Sequence, residues 1–147
     1  MKLVVIESPY AGNIDANVAY ARSCMADSLR RGEAPFASHL LYTQPNVLRD
    51  AVSGERDLGI VAGFAWRKHA DVVAFYVERG MSDGMKVAYV LAQEQGLLCD
   101  FRTLDNKCPC HYIDEVWVYE PPDSSGWDRQ CSLCKRIQHG TFPNMSI

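Results

Sequence analysis

The stretch "DVVAFYVERGMSDGMKVAYVLAQEQG" (residues 71–96) decides the fold. Its first part, DVVAFYV, is apolar, β-branched and aromatic, and reads as a buried strand. A turn containing Gly80, Ser82 and Gly84 follows. Ser82 to Gln95 then reads as a helix that Gly96 closes. Strand, turn and helix in this order make the unit of a parallel sheet, in which the helix carries the chain over to the next strand. A helix start also presents unpaired N–H groups and the positive end of the backbone dipole, so it attracts phosphate or carboxylate. Ser82 can cap this helix or give its hydroxyl to a phosphate oxygen, and Gly84 lets the backbone come close to a ligand.

The same unit extends in both directions. "KLVVIE" (2–7) is a strand that ends at the loop Ser8-Pro9-Tyr10-Ala11-Gly12. Residues 13–31 place Ile14, Val18, Ala21, Met25 and Leu29 on one helical face, with Asn13 or Asp15 as the cap and Gly32 at the far end. "APFASHLLY" (34–42) predicts a second strand running into a loop with His39. Residues 54–69 predict a helix that Gly59 and Gly63 weaken. "LLCDFRTL" (97–104) is the fourth strand and "DEVWVYE" (114–120) the fifth. The pattern predicts one α/β domain, Rossmann- or flavodoxin-like, with a five-stranded, mainly parallel sheet. Residues 1–105 form its core, and 106–147 hold the last strand and a Cys-rich extension. Ligands bind beyond the carboxyl ends of such strands, where the loops 8–13, 39–45 and 79–84 gather.

Composition removes several function classes. The chain has 147 residues, 48% hydrophobic and 22% charged, with net charge −3. That balance gives no support for bulk nucleic-acid or membrane-surface binding. No apolar run approaches the roughly 20 residues of a membrane span, and "MKLVVIESPY" is too short and too early-polar for a secretory signal. The expected place is the cytoplasm, where disulfides are disfavoured. Six cysteines therefore need another account. Cys108, Cys110, Cys131 and Cys134 form C-x-C, twenty residues, then C-x-x-C. Two close pairs at a fold-back distance suit a structural zinc ion, which takes four soft ligands tetrahedrally. His111 and His139 are spare ligands, and free thiols or disulfides remain as alternatives. Cys24 and Cys99 read as buried fillers.

Three motifs carry a resemblance: SPYAGN after the first strand, ERDLGIVAG with AW and AD after it (55–71), and GMSDGM leading into the helix. Together they resemble the nucleoside 2-deoxyribosyltransferase-like superfamily, over roughly residues 2–104, about two thirds of the chain. The closer similarity is to small phage and bacterial proteins that open SPYAG, and to the 2'-deoxynucleoside 5'-phosphate N-hydrolase branch. The resemblance implies that a glutamate in the first turns of this helix attacks the anomeric carbon of a nucleoside. AYVLA (88–92) fits the family pattern there, except that its first residue is Ala88. A methyl group cannot act as a nucleophile. The position is altered, by design or by descent, or else the register is off by a turn and Asp83 or the more distant Glu94 is the acid.

Ser82 lies six residues before Ala88. In monophosphate-hydrolysing members a serine at this spacing holds the 5'-phosphate, which tips the implied substrate toward a nucleoside 5'-monophosphate. The resemblance makes Ser8, Tyr10, Gly12, His39, Ser82, Asp83, Gly84 and Met85 the substrate-binding set. It adds Asp57 and Tyr10 to position 88 as catalytic residues, with a homodimer or higher homo-oligomer and no organic cofactor. Asp71 reads as structural, Glu78 and Arg79 as a solvated pair, and Trp66, Trp117 and Phe75 as core or interface. The implied activity is N-glycosidic cleavage to free base and sugar phosphate. The alternatives are deoxyribosyl transfer, a catalytically silent nucleotide-binding protein, or a zinc-tailed interaction protein.

Overall fold

The computed structural model describes residues 1–113 and 130–134 in full, and the backbone alone of 117–119, 127–129 and 137–140. The central strand is β3 (Val72–Tyr76), buried along its whole length. Its alternate residues serve two cores. Val72, Ala74 and Tyr76 pack with Val4, Ile6, Tyr20 and Cys24, while Val73 and Phe75 pack with Met85, Ala88 and Ala92. A strand covered on both faces reads as a continuous apolar run, which is why DVVAFYV shows no alternation.

Around β3 the sheet is wholly parallel, in the order β2-β1-β3-β4, with β1 Leu3–Glu7, β2 Ala34–Phe36 and β4 Cys99–Arg102. The helix α1 (Ile14–Arg30) joins β1 to β2, and Asn13 caps it by accepting from the Ala16 amide at 3.2 Å. α3 (Ser53–Arg67) leads into β3, and α4 (Asp83–Glu94) joins β3 to β4. The chain runs outward from β1 to β2 on one side and returns to β3 on the other. A crevice opens at such a reversal, beyond the carboxyl ends of β1 and β3.

Two expectations are corrected. The main sheet has four strands, not five. β5 (Trp117–Tyr119), from the stretch expected as the fifth, pairs antiparallel with β6 (Trp127–Cys131), which pairs with β7 (Ile137–Gly140) in a separate sheet. A parallel neighbour needs a crossover of a dozen or more residues, usually helical. Among the described residues between β4 and β5 the only helical piece is a single 3-10 turn, Pro109–His111. The second correction concerns residues 34–42. The strand stops at Phe36, and Ser38–Leu41 form a short helix, α2, so that His39 is helical and not in a loop. β2 is an edge strand, where Pro35 is tolerated despite its missing N–H. No helix among the described residues is long and apolar enough to cross a membrane.

Candidate functional site

A cleft of about 710 Å³ occupies the crevice at the β1/β3 reversal. Its size is that of a pocket for a small organic ligand. The loop after β1 supplies Ser8 and Tyr10, α2 supplies His39, and the start of α4 supplies Ser82, Asp83, Gly84 and Met85, with Ala88 one turn on. These eight expected residues therefore share one cavity. Gly12 and Asp57 do not line it. Gly12 sits in the left-handed region (φ 92°), where glycine is at ease, and turns the loop toward α1. Asp57 is exposed on α3, while its neighbours Glu55 and Arg56 face the cleft.

The head of α4 presents hydrogen-bond donors that an oxygen-rich ligand could accept. The Ser82 hydroxyl accepts the Met85 amide at 3.3 Å as the cap, which leaves its own proton to donate. The amides of Asp83 and Gly84 have no carbonyl a turn back within the helix. A Cβ placed on Gly84 would meet no atom within 4 Å, so there is open space beside these donors. The rest of the lining is acidic: Glu7, Asp50, Glu55 and Asp83 against Arg56 and Arg67. An anion is therefore favoured only at the helix head, where backbone donors prevail.

His39 Nε2 and Ser8 Oγ share a hydrogen bond of 2.8 Å, whose direction follows the tautomer. Burial pushes the His39 imidazole down to about 4, so it is neutral at pH 7 and can both donate and accept. Tyr10 meets the same ring edge-on, with centroids 6.3 Å apart. The Tyr10 loop is tied down by Asn17, whose amide donates to the carbonyls of Tyr10 (3.0 Å) and Ala11 (2.9 Å). Arg79 donates in turn to Asn17 Oδ1 at 2.9 Å and lies over the Tyr20 ring. Arg79 and Glu78 are not paired with each other. Glu78 accepts from the Tyr20 hydroxyl (2.7 Å) and the Asp105 amide (2.9 Å). Asp71 holds the Leu3 amide at 2.7 Å, a structural role. Phe75 is core, and Trp66 is half exposed, donating to the Tyr42 hydroxyl at 2.9 Å.

The floor of the cleft holds what sequence reasoning missed. Ala88 is only 1% exposed and packs into the core with Met85 and Phe75. Beside it Arg67, 2% exposed, donates one Nη to the Ala88 carbonyl at 3.1 Å and the other to Glu7 at the end of β1. A glutamate closing an otherwise apolar strand was the available signal for Glu7, though not for its partner.

The second candidate site is the cysteine cluster. The Sγ atoms of Cys108, Cys110, Cys131 and Cys134 all lie within 4.8 Å of one another. Cys108 and Cys131 are 3.6 Å apart, and Cys110 and Cys134 3.7 Å. Four sulfurs about 2.3 Å from one ion at tetrahedral corners stand about 3.8 Å apart, whereas a disulfide needs about 2.05 Å. The Cys134 amide donates to Cys131 Sγ at 3.4 Å. The cluster can hold a metal ion. Cys131 is buried in the core that contains Ala88 and Ala92, and Cys24 is also fully buried.

Residues 2–102 match a family model described as "Domain of unknown function (DUF7768)". The chain belongs to this family. The DUF7768 match contains every residue of the cleft and stops before Cys108, so the cleft and the cysteine cluster lie in different parts of the sequence. No curated protein and no solved structure matches the chain.

Proposed function

We propose that the chain is an N-glycosidase that cleaves a nucleoside 5'-monophosphate to free base and sugar phosphate. The observation that carries this reading is the convergence of Ser82, the open amides of α4, Tyr10 and His39 on one cleft of suitable size. The phosphate would sit at the head of α4, where Ser82 and the Asp83 and Gly84 amides donate. The sugar would extend along α4 toward Ala88, and the base would lie against Tyr10. His39, neutral and fixed by Ser8, would donate to a sugar or base oxygen. The test is incubation of the chain with purine and pyrimidine 5'-monophosphates, deoxy and ribo, with chromatography for free base and calorimetry for binding. Release of base supports the reading, and absence of both release and binding ends it.

A second reading is a silent nucleotide-binding protein, favoured by the buried methyl at position 88. Ala88→Glu separates the two. If only the variant releases base, the natural chain binds without cleaving. For the cysteine cluster the ion we propose is zinc, since four thiolates at tetrahedral spacing suit it best. Such a site keeps its thiols reduced, in line with a cytoplasmic home. Metal analysis of undialysed protein should give one zinc per chain, and less than half an equivalent would dismiss it. We also propose a homodimer, supported by Val61, Val87 and Val90 standing exposed on α3 and α4. Sedimentation equilibrium decides it.

A further inference from the structure

Position 88 has no carboxylate, but the cleft does. Glu7 ends β1, the strand beside β3, and lines the cleft together with Arg67, Ser8 and Ala88. Arg67 grips one of its oxygens, Oε1. The other, Oε2, has no hydrogen-bond partner among the described residues. Arg67 itself is incompletely satisfied, because its buried Nε also lacks a partner there. The guanidinium that holds Glu7 is the one that holds the Ala88 carbonyl. The carboxylate thus stands one guanidinium's width from the helix position to which the resemblance assigns the nucleophile.

We propose that Glu7 is the general base of the cleft and Arg67 its positioning residue. This rests on the reading of the cleft as a nucleotide site. Oε2 takes a proton from a water molecule while the water oxygen bonds to the anomeric carbon. The bond from that carbon to the base nitrogen breaks, and its electron pair leaves with the base. The departing nitrogen picks up a proton from solvent and Glu7 returns its own, so one water is consumed per bond cleaved. Arg67 keeps Oε1 fixed, which aims the free oxygen and prevents the side chain from turning away. Burial also raises the Glu7 carboxyl above its ordinary value of 4.5 in spite of Arg67, the direction that suits a base.

The experiment compares the full chain with Glu7→Gln and Glu7→Asp, measuring base release and, separately, binding of the same monophosphates. Glu7→Gln should lower kcat by about 100-fold or more, the size of a lost general base, with binding little changed. Glu7→Asp keeps the charge and the tie to Arg67 but draws the carboxylate back by one methylene. It should unfold like the natural chain and still release base at least about tenfold more slowly. If Glu7→Gln fails to fold, Glu7→Asp carries the test alone. Natural kcat in Glu7→Asp would show a merely structural ion pair and overturn the proposal, as would full activity in Glu7→Gln. A natural chain that binds a monophosphate without releasing base overturns the role of Glu7 and leaves the cleft reading standing. One that binds none overturns both.

Discussion

Among the described residues, Arg102 and Glu33 form one buried arginine–glutamate pair, and Arg67 and Glu7 form another. At the first, Arg102 reaches Glu33 through both Nη atoms (2.7 and 2.9 Å) and Asp100 through Nε (2.8 Å), while Ser28 donates to Glu33 at 2.6 Å. Both Glu33 oxygens are engaged, and the Arg102 hydrogen bonds hold its carboxyl below the ordinary 4.5. At the second, Glu7 is held by one oxygen, the Arg67 Nε has no partner among the described residues, and burial raises the carboxyl. A pair complete in itself ties α1 and β2 to β4. A pair left incomplete faces the cavity. Completeness of hydrogen bonding separates a fastening from a group available for chemistry.

The largest effect should come from breaking the complete pair. Glu33→Gln leaves Arg102 buried with weakened compensation and should cost about 3–5 kcal/mol in denaturant unfolding. Glu7→Gln should cost clearly less, because its carboxylate was desolvated with only one oxygen bound. Equal losses would erase the distinction between the pairs. Gly63→Ala comes next. A Cβ there would lie 2.8 Å from Ser38 Oγ, forcing α2 and His39 away from α3, and overpacking of this kind costs about 1–3 kcal/mol. The His39 resonances in an NMR spectrum should shift with it.

The two pairs should also differ in pH response. Glu33, lowered in the folded state, contributes stability that is full above 4.5 and is lost as pH falls through its folded value. Glu7, raised, acts with the opposite sign: the folded state binds its proton more tightly, so stability declines as pH rises above 4.5. His39 adds a loss of stability as pH falls from 6.5 to about 4, because the unfolded state takes up the proton first. Unfolding midpoints of Glu33→Gln, Glu7→Gln and His39→Asn against pH should each flatten one of these slopes. The smallest effect belongs to Asp57→Asn, within about 0.5 kcal/mol and with no change in binding, since the side chain is exposed and outside the cleft.

Much of this was legible in the residues. The apolar runs and capped helices gave the parallel sheet, because a strand buried on both faces and a 3.6-residue periodicity leave plain marks. The loop after β1 and the head of α4 were legible as cleft walls for the same reason. Three features were not. Gly59 and Gly63 read as weaknesses of α3, yet Gly63 is where Ser38 of α2 packs against the helix, a contact invisible in local sequence. The strand 114–120 carried a good β pattern, but pattern alone does not choose between a parallel edge and an antiparallel hairpin. The pairing of Glu7 with Arg67 spans 60 residues, and nothing local in either residue names its partner.

The cysteine cluster draws two of its sulfurs from before residue 112 and two from after residue 130. An ion at its centre would join those two lengths of chain whatever happened to the peptide between them. With an ion bound, protein cut once by a protease in that interval would still travel as a single species, and a chelator would loosen its hold on the carboxyl-terminal fragment.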